Sequence, residues 1–181
     1  MIVLGIKVSN TPGAVDDATA TTALYLIIST LRQFSKAERN LREGVWKSGL
    51  NPGGAFDLTD KTLAILGMGG VGTRIAELAR AFPMRVIYHN RRPAEGAPAW
   101  TEYYPKESLG EFLEEADVLV VSLPLKPETE CIVGEAMIRG LKKGAVIVNI
   151  ARGKVIDEEA MIQALKDGHV CLCQSSSSCP C

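Results

Sequence analysis

Gly67, Gly69 and Gly72 fall in the pattern G-x-G-x-x-G within ILGMGGVG, a spacing suited to holding a phosphate. The first glycine permits a tight turn off a strand. The second lets backbone approach a pyrophosphate, and the third allows close packing of the helix that follows. That helix offers its unpaired amides and positive dipole end to the phosphates. Glycine loops also serve plain turn geometry, so context decides. Here the triad follows the apolar run TLAILG, opens TRIAELARAF and is succeeded by MRVIYHN, a βαβ unit of the right length for a dinucleotide.

The end of the second strand in such a unit selects the cofactor. Sites for NAD usually place a carboxylate there to accept hydrogen bonds from the adenosine ribose. This chain has Asn90, followed by Arg91 and Arg92. Asparagine can bond a hydroxyl without repelling a 2′-phosphate, and two adjacent guanidiniums can pair with one. The residues therefore favour NADP, with NAD as the second choice. The plainer alternative is a solvated arginine pair at a strand end. His89 alternates away from Asn90 along the strand and reads as a packing or adenine-side residue.

The elements that position these residues follow from the apolar pattern. Ile2 to Val8 reads as a strand running into the turn Ser9-Asn10-Thr11-Pro12-Gly13. A long helix follows, with Asp16 and Asp17 suited to cap its first turn. Ala20, Ala23, Leu24, Ile27, Ile28 and Leu31 recur at helical spacing in a stretch extending to about Trp46. Lys47 to Asp57, containing Gly49, Pro52, Gly53 and Gly54, reads as a linker. The runs ADVLVVSLP and GAVIVNIA are continuously apolar, as expected of parallel strands buried on both faces. Helical segments at Lys106 to Glu115, Gly134 to Leu141 and Glu158 to Lys166 separate or follow them. Strands alternating with helices imply an α/β fold, a doubly wound parallel sheet preceded by a long helix.

A chain of 181 residues with 46% hydrophobic and 23% charged residues fits one globular domain. The net charge of −1 argues against nucleic acid or an anionic membrane as partner. No apolar run approaches the roughly 18–20 residues that span a bilayer. The segment MIVLGIKVSN lacks the features of a secretory signal, and a cytoplasmic location is expected.

Several segments in order make the sequence resemble the D-isomer-specific 2-hydroxyacid dehydrogenases, in particular their glyoxylate and hydroxypyruvate reductase branch. They are VSNTPGAVDDATATTAL, ILGMGGVG, YHNRR, VSLPLKPET and VIVNIARGKVIDEEAMIQAL, spanning Gly5 to about Val170. The resemblance implies a Rossmann dinucleotide-binding domain and NADP(H)-dependent reduction of short 2-oxo acids to 2-hydroxy acids. It places Gly70 and Val71 at the pyrophosphate and Asn90, Arg91 and Arg92 around the adenosine ribose. It sets Ser122, Leu123 and Pro124 along the cofactor groove with Thr129 nearby, and Ile150, Ala151 and Thr21 toward the nicotinamide. Arg152, after the strand AVIVNIA, matches the arginine that holds the substrate carboxylate and polarises its carbonyl. Small residues and prolines at these positions also serve turns and strand ends.

The same resemblance sets expectations about what the chain lacks. Residues 1–13 match only the end of a substrate domain, 14–170 match a dinucleotide-binding domain short of its last strands, and 171–181 leave the pattern. Family members continue past the position of Val170 into an AGLDVF-like strand, a glutamate and a PHxG-like histidine, none of which appears here. His169 matches a variable position. Catalysis by the chain is therefore expected to be impaired, and the AVIVNIA strand to be left as an unpaired edge. The alternative is a non-catalytic dinucleotide-binding or dimer-interfering fragment, a homodimer or a partner of a full-length subunit through the long helix. The tail CLCQSSSSCPC places Cys171, Cys173, Cys179 and Cys181 in two C-x-C pairs, closer than the usual structural-zinc spacing, and no metal is expected. Its abrupt composition reads as a frame or splice junction that cannot extend the sheet, a point transcript sequencing would check.

Overall fold

The computed structural model describes residues 9, 11–46, 49–50 and 54–175. The expected strand Ile2 to Val8 lies outside them, as does part of the linker from Lys47.

Six parallel strands form one sheet: β1 (Thr62–Leu66), β2 (Arg85–His89), β3 (Glu102–Tyr104), β4 (Val118–Val121), β5 (Ala145–Asn149) and β6 (Val170–Ser175). Their order is β3-β2-β1-β4-β5-β6, so the winding reverses between β1 and β4. At such a point the connections leave to opposite faces and open a crevice at the carboxyl ends of the strands.

Continuous apolar strands need cover on both faces, and alternation divides each strand between two cores. Leu63, Ile65, Val118, Val120, Val146 and Val148 belong to one core, with Ala20, Ala23 and Ile27 of α1 (Asp16–Leu31) and Ile75 and Ala79 of α3 (Gly70–Ala79). Ala64, Leu66, Leu119, Val121 and Ile147 belong to the other. They pack with residues of α4 (Leu109–Glu115), α5 (Glu135–Gly140) and α6 (Glu158–Lys166). Each fully buried Leu or Ile side chain is worth about 1.5–3 kcal/mol.

Three expectations are corrected. The long helix does not run on to Trp46. It stops at Leu31, Gln33 turns left-handed at φ 56°, and α2 (Phe34–Arg42) starts in a new direction with no buried residue. Asp16 and Asp17 make no capping bond. Val15 is the N-cap residue, and the two carboxylates occupy the first turn, where the positive dipole end favours them.

The third correction concerns the tail, whose residues Cys171 to Ser175 do extend the sheet. β6 pairs in parallel with β5, with Val170 opposite Ala145 and Ser175 opposite Asn149, so β5 is not an unpaired edge. The physical reason is that ladder bonds use main-chain groups and are indifferent to side-chain complexity, and an open apolar strand is a ready template. Gly168, at φ 70°, ends α6 and returns the chain to the sheet.

Candidate functional site

The crevice at the winding reversal is built from backbone. Gly67 leaves β1 at φ 106°, and a Cβ there would lie 2.7 Å from the Ser122 carbonyl oxygen at the end of β4. Only glycine meets both conditions. A Cβ on Gly72 would overlap the Gly67 carbonyl oxygen and crowd Ile65, so the third glycine is what allows α3 to sit against β1. Gly69 differs: nothing lies within 4 Å of a Cβ built on it, and its open side faces a cleft of about 730 Å³.

Gly69, in extended conformation, precedes α3 with no side-chain cap, so the first amides of the helix have no intrahelical partner, while the Asp16 carboxylate lies against Gly70, crowding the place of a Cβ there. Open space over Gly69 and bare amides beside it are the shape and charge that a pyrophosphate fills, and a dinucleotide fits the residues present. Met68, Gly70, Thr73, Arg74 and Asn90 line the same cleft, as do Ala94 and Gly96.

The side-chain charge of the lining is negative, with Asp16, Asp17, Glu77 and Glu95 against Arg74. Arg74 is also spoken for: it bonds Glu77 at 2.9 Å and Asp17 at 2.5 Å, and these partners, Glu77 first, hold its guanidinium more firmly protonated. Positive charge for an anionic ligand is left to the α3 amides and to Arg91 and Arg92. Those two side chains are exposed, with no hydrogen bond or ion pair among the described residues.

Asn90 is half-buried and bonded to Met68, with Oδ1 accepting from the Met68 N–H at 2.9 Å. His89 faces the other core, its Nδ1 2.8 Å from the Tyr104 carbonyl oxygen and its ring 5.9 Å from that of Phe112. It is a packing residue.

The remaining expected residues sit along the carboxyl ends of β4 and β5. The Ser122 N–H donates to Leu66, Leu123 packs against the core and Pro124 is exposed. Thr129 pins the loop, its Oγ1 donating to the Pro124 carbonyl at 2.7 Å and accepting from the Lys126 N–H at 2.8 Å. Ile150 and Ala151 are buried, and Val71 packs at the edge of the α1–α3 core. Thr21 is exposed on α1, its hydroxyl donating to the Asp17 carbonyl at 2.7 Å. Gly69, Gly70 and Asn90 share the cleft; Thr21, Arg91, Arg92, Ser122 to Pro124, Thr129 and Ile150 to Arg152 lie outside its lining.

Arg152 is exposed at the carboxyl edge of β5, and its side chain reaches back to bond the Ala151 carbonyl at 2.9 Å. Asn149, 2% exposed, fixes this turn. Its Oδ1 accepts from the Ala151 N–H at 2.9 Å and its Nδ2 donates to the Arg152 carbonyl at 3.1 Å. Sequence reasoning missed Asn149, although the NIARG segment contained it. It also missed Asp16, Asp17, Arg74 and Glu77 as lining residues. The last two had a signal: they follow the glycine loop within the first two turns of α3.

His169 is engaged, its Nε2 3.0 Å from the Ile138 carbonyl oxygen. Among the described residues no cluster of His, Cys, Asp or Glu is placed to hold a metal. No described helix is long and apolar enough to cross a membrane.

Residues 24–174 match the family model for the D-isomer specific 2-hydroxyacid dehydrogenase NAD binding domain. The chain is 39% identical to the glyoxylate reductase of Korarchaeum cryptofilum over 170 residues, 92% of this chain and 50% of that protein. It is 40% identical to the glyoxylate reductase of Aeropyrum pernix over 173 residues, 92% of this chain and 51% of that one. It thus spans about half the length of these curated relatives. A glyoxylate reductase structure from Paecilomyes thermophila superposes with a TM-score of 0.87 at 39% identity, covering 97% of this chain and 52% of that one. The chain belongs to the D-isomer-specific 2-hydroxyacid dehydrogenase family, and what it carries is that family's NAD-binding domain.

Proposed function

We propose that the chain binds NADP(H) and serves the reduction of short 2-oxo acids, glyoxylate and hydroxypyruvate, to 2-hydroxy acids. The observation that carries the cofactor reading is the cleft over Gly69, flanked by bare α3 amides and by Asn90 in the carboxylate position, with Arg91 and Arg92 unpaired beside it. In this reading the dinucleotide unit runs from residue 14 through β6, residues 1–13 belong to the substrate domain, and the expected groove residues Ser122 to Pro124, Thr129, Ile150, Ala151 and Thr21 face the cofactor.

When bound, a reduced nicotinamide would supply the hydride, and Thr21, Ile150 and Ala151, outside the lining of the cleft, would hold that half of the dinucleotide. The Gly70 to Gly72 amides would hold the pyrophosphate, and Arg91 and Arg92 would pair with the 2′-phosphate. Arg152, its backbone fixed by Asn149, presents a permanent positive charge to the substrate carboxylate and to the oxygen on which negative charge develops. The reaction needs a proton on that oxygen as well. Of the two histidines of the chain, His89 packs against Phe112 and His169 bonds Gly144 at the amino edge of the sheet, where β5 begins, so neither stands beside Arg152 and turnover by the 181-residue chain alone is slow. The test follows NADPH oxidation with glyoxylate: a trace rate is expected, and a normal enzymatic rate would refute the proton-donor part. In Arg91→Ala/Arg92→Ala, NADPH affinity falls about 100-fold while NADH affinity is nearly unchanged, since each lost charged hydrogen bond costs about 1.5–3 kcal/mol; equal losses for both cofactors would sink the NADP reading.

A second reading, that the chain pairs with another subunit through its helical arm, rests on apolar side chains left in solvent. Tyr25 is 59% and Trp46 69% exposed, and Phe34 and Leu41 of α2 are also exposed. Coexpression with a full-length family member and size exclusion tests it; absence of a mixed species would remove it.

A further inference from the structure

We propose that Asn90 is a positioning residue for the phosphate loop, so that its carboxamide sets affinity for both dinucleotides in common and leaves the choice between them to Arg91 and Arg92. This rests on the dinucleotide-binding reading above.

The geometry starts where the β1–β2 ladder ends. The last main-chain bond of that ladder joins the Gly67 N–H to the His89 carbonyl at 3.1 Å. One residue further the backbones separate, and the Asn90 side chain bridges the gap to both main-chain groups of Met68. Oδ1 accepts from the Met68 N–H at 2.9 Å, and Nδ2 donates to the Met68 carbonyl at 3.4 Å. This pairing fixes the amide orientation, because the reverse would set oxygen against oxygen and nitrogen against nitrogen. Asn90 is itself anchored from the other side, its carbonyl accepting from the Tyr103 hydroxyl at 3.2 Å.

Met68 immediately precedes Gly69 and the amides of α3, and it is 3% exposed. A side chain that holds its N–H and C=O together determines where the next amides point. The carboxamide is suited to this because it donates and accepts at once. A carboxylate at position 90 would keep the bond from the Met68 N–H but would turn a second oxygen toward the Met68 carbonyl, which is repulsive. Changing Asn90 to aspartate is therefore a change in the loop as well as in charge near the ribose.

The test compares wild type with Asn90→Ala and Asn90→Asp in the 181-residue chain. It measures dissociation constants for NADPH and NADH, and amide hydrogen exchange at Met68. In Asn90→Ala both affinities are expected to fall about tenfold, with their ratio held within about threefold. Exchange at Met68 should speed up about tenfold or more while the β1 amides stay protected. Asn90→Asp should not bind NADH more tightly than wild type does. A changed ratio with NADH affinity intact overturns the proposal, and so does unchanged exchange at Met68. Should wild type bind neither nucleotide, the dinucleotide reading fails, and the positioning role is still decided by Met68 exchange.

Discussion

The two ends of the carboxyl edge of the sheet are built on different principles. At the β1–α3–β2 end the surface is main chain: Gly67 for the turn, Gly72 for contact, Gly69 for open space and the first amides of α3 for charge. At the β5 end it is one long side chain, Arg152, exposed and bonded to the carbonyl of its own neighbour. The first arrangement is rigid and largely complete within this βαβ unit. The second is a single exposed charge outside the lining of the cleft. Main-chain sites bind a constant ligand part such as pyrophosphate, and a lone arginine leaves the rest of the pocket to other structure.

Substitutions can break this contrast, and the largest effect belongs to Gly72. In Gly72→Val the new side chain meets the Gly67 carbonyl and Ile65. Overpacking at a close backbone contact should cost about 3 kcal/mol, read by urea unfolding, and a loss under about 1 kcal/mol would show that α3 is free to shift.

Gly69→Ala separates ligand space from packing. Its φ of −95° suits alanine and its Cβ touches nothing, so stability should stay within about 0.5 kcal/mol. NADPH binding should weaken about tenfold, because the methyl group takes the place of a phosphate oxygen. Unchanged affinity would move the pyrophosphate elsewhere.

Arg152→Ala should do little. Unfolding stability and NADPH affinity are expected to stay within about 0.5 kcal/mol of wild type, since the side chain's hydrogen bond is to the adjacent carbonyl. A loss of NADPH affinity as large as that in Gly69→Ala would make the two ends one site.

The smallest effect lies at the opposite, amino edge. There Arg85 bonds Glu102 and Glu115, and the Tyr104 hydroxyl donates to Glu115 at 2.7 Å. Tyr104 first, then Arg85, holds the Glu115 carboxyl below its ordinary 4.5. A lowered folded value contributes stability above the unfolded value and loses it as pH falls through the folded one. Glu115→Gln should therefore be slightly less stable than wild type at pH 7, where the carboxylate is ionised, and the gap should close as pH falls below about 4.5, so that its acid limb is flatter. An identical acid limb in the variant would dismiss the network.

The legible parts of the fold were those written in local pattern. β1, β2, β4 and β5 are continuous apolar runs, and the glycine triad states its own geometry. β3 escaped notice because Glu102–Tyr104 is a three-residue edge strand without alternation. The break between α1 and α2 was hidden because Gln33 takes a left-handed conformation without glycine or proline to mark it. β6 was misread because the composition of CLCQSSSSCPC masked a backbone able to pair with β5. At the site, Gly69 and Asn90 were found from spacing. The Asn90–Met68 clasp, the Asn149 brace and the Asp17–Arg74 bridge were not, because each joins residues that only the tertiary fold brings together.

In the proposed function this domain binds a nicotinamide dinucleotide with preference for the 2′-phosphorylated form. Parallel titration of the 181-residue chain with NADPH and NADH, following both binding and thermal midpoint, tests it directly. A ligand held only by the folded state raises the midpoint in step with its affinity. NADPH is expected to bind at least about tenfold more tightly than NADH and to raise the midpoint further. Equal or tighter binding of NADH, or no rise with either, would overturn that preference.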